Sequence, residues 1–268
     1  VDLYSAVFRK LGTGSVISVR PETRDDAESS AFVAKLDDVT GIFMTGGNQL
    51  KLSQVITGTA FGQAIVDANA LGVTVGGTSA GASILSSHMV AFGSGGAAPK
   101  QRMTQLAAGL GLLDGCVIDQ HFAQRNRYGR LLMLVAQSPS LLGIGIDEDT
   151  AAIIHQRSVL EVAGRGVVTV VDGSRVRTNA HAVKRTAPLL VSDAVLHVLP
   201  AGSVFDLTER TLLVGPRVVD PAAAADLERV GDDLRSLRRD IAAEGVSPTN
   251  LRRRRRRRAF DRRSGDSK

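Results

Sequence analysis

Gly77-Thr78-Ser79-Ala80-Gly81 matches G-x-S-x-G and follows a short apolar segment that reads as a strand. In that pattern a serine stands at the tip of a sharp strand-to-helix turn, in a strained backbone conformation with its hydroxyl exposed. The two glycines remove side chains that would collide in so tight a turn. The Ala80 N–H then lies at a helix N-terminus, where it can help to stabilise an oxyanion. The chemistry implied is attack by the Ser79 hydroxyl on a carbonyl. An ordinary strand-to-helix turn could carry the same five residues, so the reading needs partners.

Two further segments supply candidates. Thr45-Gly46-Gly47-Asn48-Gln49 is a second glycine turn after a short apolar strand. Its Gly47 or Asn48 N–H could be the second oxyanion donor, and Gln49 could hold a substrate amide or carboxylate. Asp119-Gln120-His121 follows the apolar run Cys116–Ile118, which puts His121 at a strand end, where a general base is useful. An arginine-rich helix comes next, with Arg125, Arg127 and Arg130. Arg127 and Arg130 are three apart and share a face, while Arg125 must sit at the helix start to point inward. Arginines beside an active site can grip a carboxylate bidentately; the plainer alternative is a solvated helix face. His88, His155, His181 and His197 have no comparable setting and read as structural.

The elements that must position these groups alternate between helix-like and strand-like up to about Asp172. Residues 2–11 read as the end of a helix, 14–20 as a strand and 25–38 as helical. Residues 41–45 form a short strand, and 50–71 a helix with a soft spot at Gly58. Residues 72–77 are the strand before Ser79, and 80–89 the helix after it. A Gly-rich loop and a helix fill 90–110. Then come a strand at 116–119, a helix at 124–137 and strands at 141–147 and 151–155. Segments 159–163, 166–172 and 193–199 make a β-rich end. Strand–helix alternation of this kind argues for an α/β sandwich of three layers with a mostly parallel sheet, whose strand ends share one edge where ligands bind.

The chain has 268 residues, 43% of them hydrophobic, enough for one buried core of roughly 200 residues and an appendage. It has no Trp and one cysteine, Cys116, so no intrachain disulfide can form. No segment reaches the roughly 18 apolar residues of a membrane span, and no signal peptide is visible, so no membrane is expected and the expected location is the cytoplasm. The net charge of +6 is uneven: residues 251–268 carry +8, so the other 250 sum to −2. The catalytic domain is expected over 1–215. A charged amphipathic helix is expected over 216–246, with Leu227, Val230, Leu234 and Leu237 on one face, and a disordered Arg-rich tail over 247–268. The run Arg252–Arg258 could attract anions non-specifically, but lacks the interleaved aromatics of a nucleic-acid platform.

Together, GIFMTGGNQLKL, GGTSAGAS, DQHFAQRNRYGRLL and LLGIGIDEDTA, in that order, resemble the cyanophycinase family of serine exopeptidases, from about Val1 to about Val214. The resemblance implies a class I glutamine-amidotransferase-like (flavodoxin-like) α/β sandwich, a homodimer and no cofactor or metal. It implies hydrolysis of cyanophycin, a polyaspartate backbone with arginines joined to its side-chain carboxyls, to β-Asp-Arg dipeptides. By position Ser79 matches the nucleophile and His121 the base. Gln49, Asp119, Gln120, Arg125, Arg127 and Arg130 match substrate-pocket positions.

Two departures accompany the likeness. The family's acid, expected in a Gly/Ser-rich loop, is matched here by Ala97, and no Asp or Glu occurs from Ala80 to Leu113. The nearest acids by sequence are Asp114, Asp147, Glu148 and Asp149, of which Asp147 and Glu148 read as structural. The family opens with a strand and a Gly-Gly-Ala turn before the helix at which this sequence begins, so the expectation is either a fragmentary gene product or a domain that lacks a sheet member and is less stable. Besides an active exopeptidase, the residues leave open an aspartyl dipeptidase of the same superfamily or a catalytically impaired homologue that binds or assembles partners.

Overall fold

Short polar residues and glycines at segment ends decide where the helices start and stop. The computed structural model describes residues 2–215, so the helix expected over 216–246 and the tail over 247–268 lie outside the described residues. The described residues fall into two units, 2–18 and 19–215. The first holds α1 (Asp2–Lys10), whose last turn carries Arg9 and Lys10, as suits the negative end of the helix dipole. Residues 14–20 belong to no strand, contrary to the sequence expectation: they find no ladder partner, and Ile17 stays exposed.

In the second unit, α2 (Arg24–Glu28) opens on a capping box. The Thr23 hydroxyl accepts from the Asp26 N–H, and the Asp26 carboxylate accepts from the Thr23 N–H. Ser29, at φ −70° and ψ 128°, ends it, so the helical stretch expected over 25–38 breaks into α2, α3 (Ser30–Val33) and a 3-10 turn. After β1 (Gly41–Met44), Asn48 caps α4 (Gln49–Ile56) and Thr59 caps α5 (Ala60–Ala70). The soft spot at Gly58 is thus a full break, with φ at 67°. The Arg24 guanidinium closes the end of α4, donating to the Gln54, Thr57 and Gly58 carbonyls.

β2 (Thr74–Gly77) leads to α6 (Ala80–Ser83), which is far shorter than the helix expected over 80–89. From Ser86 the chain becomes β3 (Ser86–Gly93), because it is needed in a sheet. Met89 and Val90 are fully buried there, and Ser86 satisfies its hydroxyl on the Ser83 and His88 carbonyls. The helix expected within 90–110 is also a strand, β4 (Thr104–Ala108), paired antiparallel to β3. Then follow β5 (Leu113–Gln120), α7 (Tyr128–Gln137) and β6 (Leu142–Ile146). The rest is β: β7 (Thr150–His155), β8 (Val159–Gly164), β9 (Val167–Asp172), β10 (Arg177–Thr178) and β11 (Val191–Ser192). It closes with β12 (Val195–Pro200), β13 (Val204–Asp206) and β14 (Thr211–Val214).

The fold is α/β. Its largest sheet runs β12-β9-β6-β5-β3-β4, β7, β8, β13 and β14 form a second sheet, and β1 and β2 pair separately. Among the described residues parallel pairing is confined to β1–β2 and β3–β5–β6, which carry the site; the flanks are antiparallel. The sheet is therefore mixed where a mostly parallel one was expected, because short hairpins rather than helices connect the second half of the chain. Gly143 and Gly145 on β6 let α7 and Phe122 lie flat on the sheet, where a Cβ would meet Leu131 or the Phe122 ring. The opposite face packs Leu142, Ile144, Val168 and Val170 against Leu160, Val162 and Phe205 of the second sheet. Among the described residues no helix is long and apolar enough to cross a membrane.

Candidate active site

Ser79 leaves β2 at φ 55° and ψ −121°, a backbone state that costs a non-glycine residue about 1–3 kcal/mol and must be held from outside. Several bonds hold it. The Thr78 N–H donates to the Met44 carbonyl (3.0 Å), tying the elbow to the end of β1, and the Ala82 and Ser83 N–H groups donate to the Ser79 carbonyl (3.0 and 3.1 Å). The glycines are sterically required. A Cβ on Gly77 would run into the Gly81 carbonyl, and one on Gly81 into the Met44 and Thr45 carbonyls. Gly46 is tight to a lesser degree, since a Cβ there would lie 3.0 Å from the Ser79 Cβ. The two glycine turns seen in the sequence therefore interlock. They bring Gly46 beside Ser79, and the Ala80 N–H opens α6 without an intrahelical acceptor.

His121 follows β5, at φ 51°. Its Nε2 is 3.1 Å from Ser79 Oγ, and its Nδ1 is 2.7 Å from Glu148 Oε1. With the ring proton on Nδ1, that N–H donates to the carboxylate and Nε2 accepts from the serine hydroxyl. The acid beside the histidine is thus Glu148, a correction to the expectation that Glu148 is structural. Ala97, where the acid was sought, is an exposed residue of the loop after β3. The physical reason is strand order. β5 and β6 are parallel neighbours, in register from Cys116–Leu142 to Gln120–Ile146, so the residues just past both ends emerge side by side.

Three bonds lock the two turns together. Phe122 N–H donates to the Ile146 carbonyl (3.1 Å), Ala123 N–H to Asp147 Oδ1 (3.0 Å), and Glu148 N–H to Gln124 Oε1 (3.0 Å). Asp147 also accepts from the Val167 N–H, so it is structural as expected. Asp114 is engaged by the Ser87 hydroxyl instead. Nothing local in the sequence marks Gln124, because its partner lies 24 residues away.

The remaining expected site residues form a second cluster, adjoining the first through Gln120. Asp119 is completely buried, and its carboxylate accepts from Arg127 Nη1 (2.9 Å), Arg130 Nε (2.5 Å) and Arg130 Nη2. Its oxygens hold the two arginines and do not face outward as a substrate contact would. Arg127 Nη1 also donates to the Gln120 backbone carbonyl and side-chain Oε1, and Arg130 Nη1 to the Gly93 carbonyl (3.1 Å). Two buried guanidiniums against one carboxylate leave an excess positive charge, which suits a ligand carboxylate. Arg125 stands apart and exposed in the 121–126 turn, because α7 begins at Tyr128 and not at 124. Gln49 Nε2 donates to the Val90 carbonyl (2.7 Å), while the Asn48 side chain caps α4 through the Lys51 N–H.

Burial holds the His121 imidazole below its ordinary value of 6.5; the hydrogen bond to Glu148 opposes this and the Arg125 charge adds to it. The ring is therefore neutral at pH 7 and ready to accept a proton. The acid limb of kcat/KM is expected below pH 6.5, and Arg125→Gln is expected to move it upward, toward 6.5. A pH–rate profile of both proteins checks this. Cys116 is no rival nucleophile, since burial pushes its thiol up to about 12. No cluster of three or more His, Cys, Asp or Glu able to hold a metal occurs among the described residues.

The model of Peptidase family S51 matches residues 1–162, a span that contains Ser79, His121 and Glu148. The chain is 41% identical over 212 residues to a cyanophycinase from Nostoc sp. (strain PCC 7120 / SAG 25.82 / UTEX 2576), covering 78% of this chain and 71% of that protein. It belongs to the cyanophycinase family of S51 peptidases. A cyanophycinase from Geminocystis herdmanii (strain PCC 6308) is 38% identical, covering 76% of each chain. The crystal structure of a peptidase from an acI-B1 Actinobacterium superposes with a TM-score of 0.53 at 22% identity, over 77% of this chain and 78% of that one, a likeness of fold. The span matched by the family model holds the two interlocked turns and both parallel strand ends.

Proposed function

We propose that the protein is a serine exopeptidase that hydrolyses cyanophycin to β-Asp-Arg dipeptides, with Ser79 as nucleophile, His121 as base and Glu148 as the acid that orients it. The line Glu148–His121–Ser79, with contacts of 2.7 and 3.1 Å, carries the reading. Ser79 Oγ attacks the scissile carbonyl while His121 Nε2 takes its proton. The oxyanion meets the Ala80 N–H and a second donor from Gly47 or Asn48. Collapse expels the leaving amine, which takes the proton from His121. Water, activated by the same ring, then releases the acyl group. Glu148 keeps Nδ1 protonated and stabilises the imidazolium formed at each transfer. Arg127 and Arg130, pinned by Asp119, and the exposed Arg125 supply cations for the carboxylates of a branch that ordinary peptidases do not read.

The test is product analysis: purified protein incubated with cyanophycin is expected to release β-Asp-Arg, and a fluorophosphonate probe to label Ser79. Cleavage of free aspartyl dipeptides without attack on the polymer would move the protein to the dipeptidases, and absence of both labelling and release would end the peptidase reading. An acid at 97 has no part in this scheme. Ala97→Glu is therefore expected to leave kcat/KM within about threefold of wild type. A gain of tenfold or more would mean that Glu148 does not serve.

A further inference from the structure

Two acid-free stretches, residues 80–113 and 173–192, meet beside the site. They are stitched backbone to backbone: Gln101 N–H donates to the Ala187 carbonyl (2.9 Å), Thr186 N–H to the Gln101 carbonyl (3.2 Å) and Leu189 N–H to the Pro99 carbonyl (2.9 Å). The Gln101 amide adds a bond to the Ala180 carbonyl (2.8 Å). On this stitched surface stand Lys100, Arg102, Lys184 and Arg185, all exposed and none with an acidic partner among the described residues. Lys100 and Arg102 line, with Ser94, Ala97, Met103 and Thr186, a shallow concavity of about 400 Å³.

The concavity lies next to the turn that precedes α7. Its glycine loop is bonded to the turn that carries Arg125: Gly96 N–H donates to the Asn126 carbonyl (2.6 Å) and Gly129 N–H to the Gly96 carbonyl (2.8 Å). Glycines keep this seam closed, since a Cβ on Gly95 or Gly129 would strike the opposing carbonyls. The residues outside the Arg-rich tail sum to a slightly negative charge, so a gathering of cations with no acidic partner among the described residues, on this stitched shelf, is not a general property of the chain.

We infer that this shelf is an accessory subsite for the carboxylates of a long substrate chain, lying beyond the unit being cleaved; the inference rests on the reading that the substrate is the branched polymer. In that polymer each arginine, joined through its amino group, keeps a free carboxylate next to the branch, while its guanidinium lies at the far end of a three-methylene stem. Lys100, Arg102, Lys184 and Arg185 can reach the carboxylates while the guanidiniums stay in solvent. Such contacts are charge-assisted but exposed, so they act on polymer capture and weaken with salt. A substrate too short to leave the catalytic cleft gains nothing from them.

The experiment compares the full chain with the variant Lys100→Gln/Arg102→Gln/Lys184→Gln/Arg185→Gln on two substrates, soluble cyanophycin and an oligomer of three β-Asp-Arg units. The variant is expected to raise KM for the polymer five- to tenfold with kcat unchanged, and KM for the oligomer by less than twofold. Wild-type KM for the polymer is expected to climb to the variant's value between 50 and 500 mM salt, on the order of the change from one long to one short Debye length. Equal changes on both substrates, or none on the polymer, would overturn the subsite. Co-sedimentation with insoluble cyanophycin at low salt gives an arm independent of hydrolysis. The wild type is expected to pellet several times more than the variant, and equal pelleting overturns the proposal. If the wild type pellets with the polymer yet cleaves neither substrate, the peptidase reading fails and the subsite stands.

Discussion

Ser79→Ala is expected to lower kcat/KM on cyanophycin by about 10⁶, and Glu148→Gln by about 10⁴, the sizes seen when a serine peptidase loses its nucleophile or the acid behind its histidine. The two values differ because the two groups do different things. Without the Ser79 hydroxyl no acyl-enzyme forms, and only binding and the oxyanion donors remain. Without the Glu148 carboxylate the ring stays in place, since the amide can still bond to Nδ1, but the proton is no longer held there and the imidazolium loses its counter-charge. Removing that carboxylate also removes the influence that raises the His121 pKa, so the acid limb should move to still lower pH while the rate falls. Steady-state kinetics over pH 4–8 for wild type and both variants checks the set. Glu148→Gln within tenfold of wild type would show that the 2.7 Å contact is not catalytic.

Asp119→Ala is expected to have the largest effect on stability, a loss of about 3–5 kcal/mol, which for a domain of this size lowers the thermal midpoint by roughly 10 °C. Asp119 has no exposed surface, and it accepts from both Arg127 and Arg130, which are themselves buried. Its removal strands two guanidiniums in a setting where burial already disfavours the charge of Arg127. The cost comes mainly from the uncompensated cations left behind, so Asp119→Ala combined with Arg130→Leu should recover part of it. Denaturant melts of the single and double variants measure this coupling. A loss below about 1 kcal/mol for Asp119→Ala would mean that water reaches the cluster.

The two effects separate the roles of neighbouring residues on β5. Asp119 and Gln120 build the arginine cluster from inside the fold, and His121, one residue further and only part-buried, faces Ser79. In the sequence these three looked like one site motif. Burial divides them, because the strand ends between Gln120 and His121, where the backbone turns to a positive φ.

Local chemistry alone was enough for the elbow. Glycines at 77 and 81 flanking a serine, after an apolar strand, imply a sharp turn whatever the remainder of the chain does, and the close approaches to the Gly81 and Met44 carbonyls are its physical cause. The same holds for the second glycine turn and for His121 at the end of its strand, whereas Gly58 reads in the sequence only as a soft spot in one helix and the structure makes it a full break. What only the tertiary structure decided is which acid faces His121. Ala97 and Glu148 are, respectively, 24 and 27 residues from the histidine, and no local rule ranks them; the parallel β5–β6 register does. Likewise, residues 86–93 and 104–108 became strands because the sheet had ladder positions to fill there, and burial of Met89 and Val90 outweighs whatever preference those segments have alone.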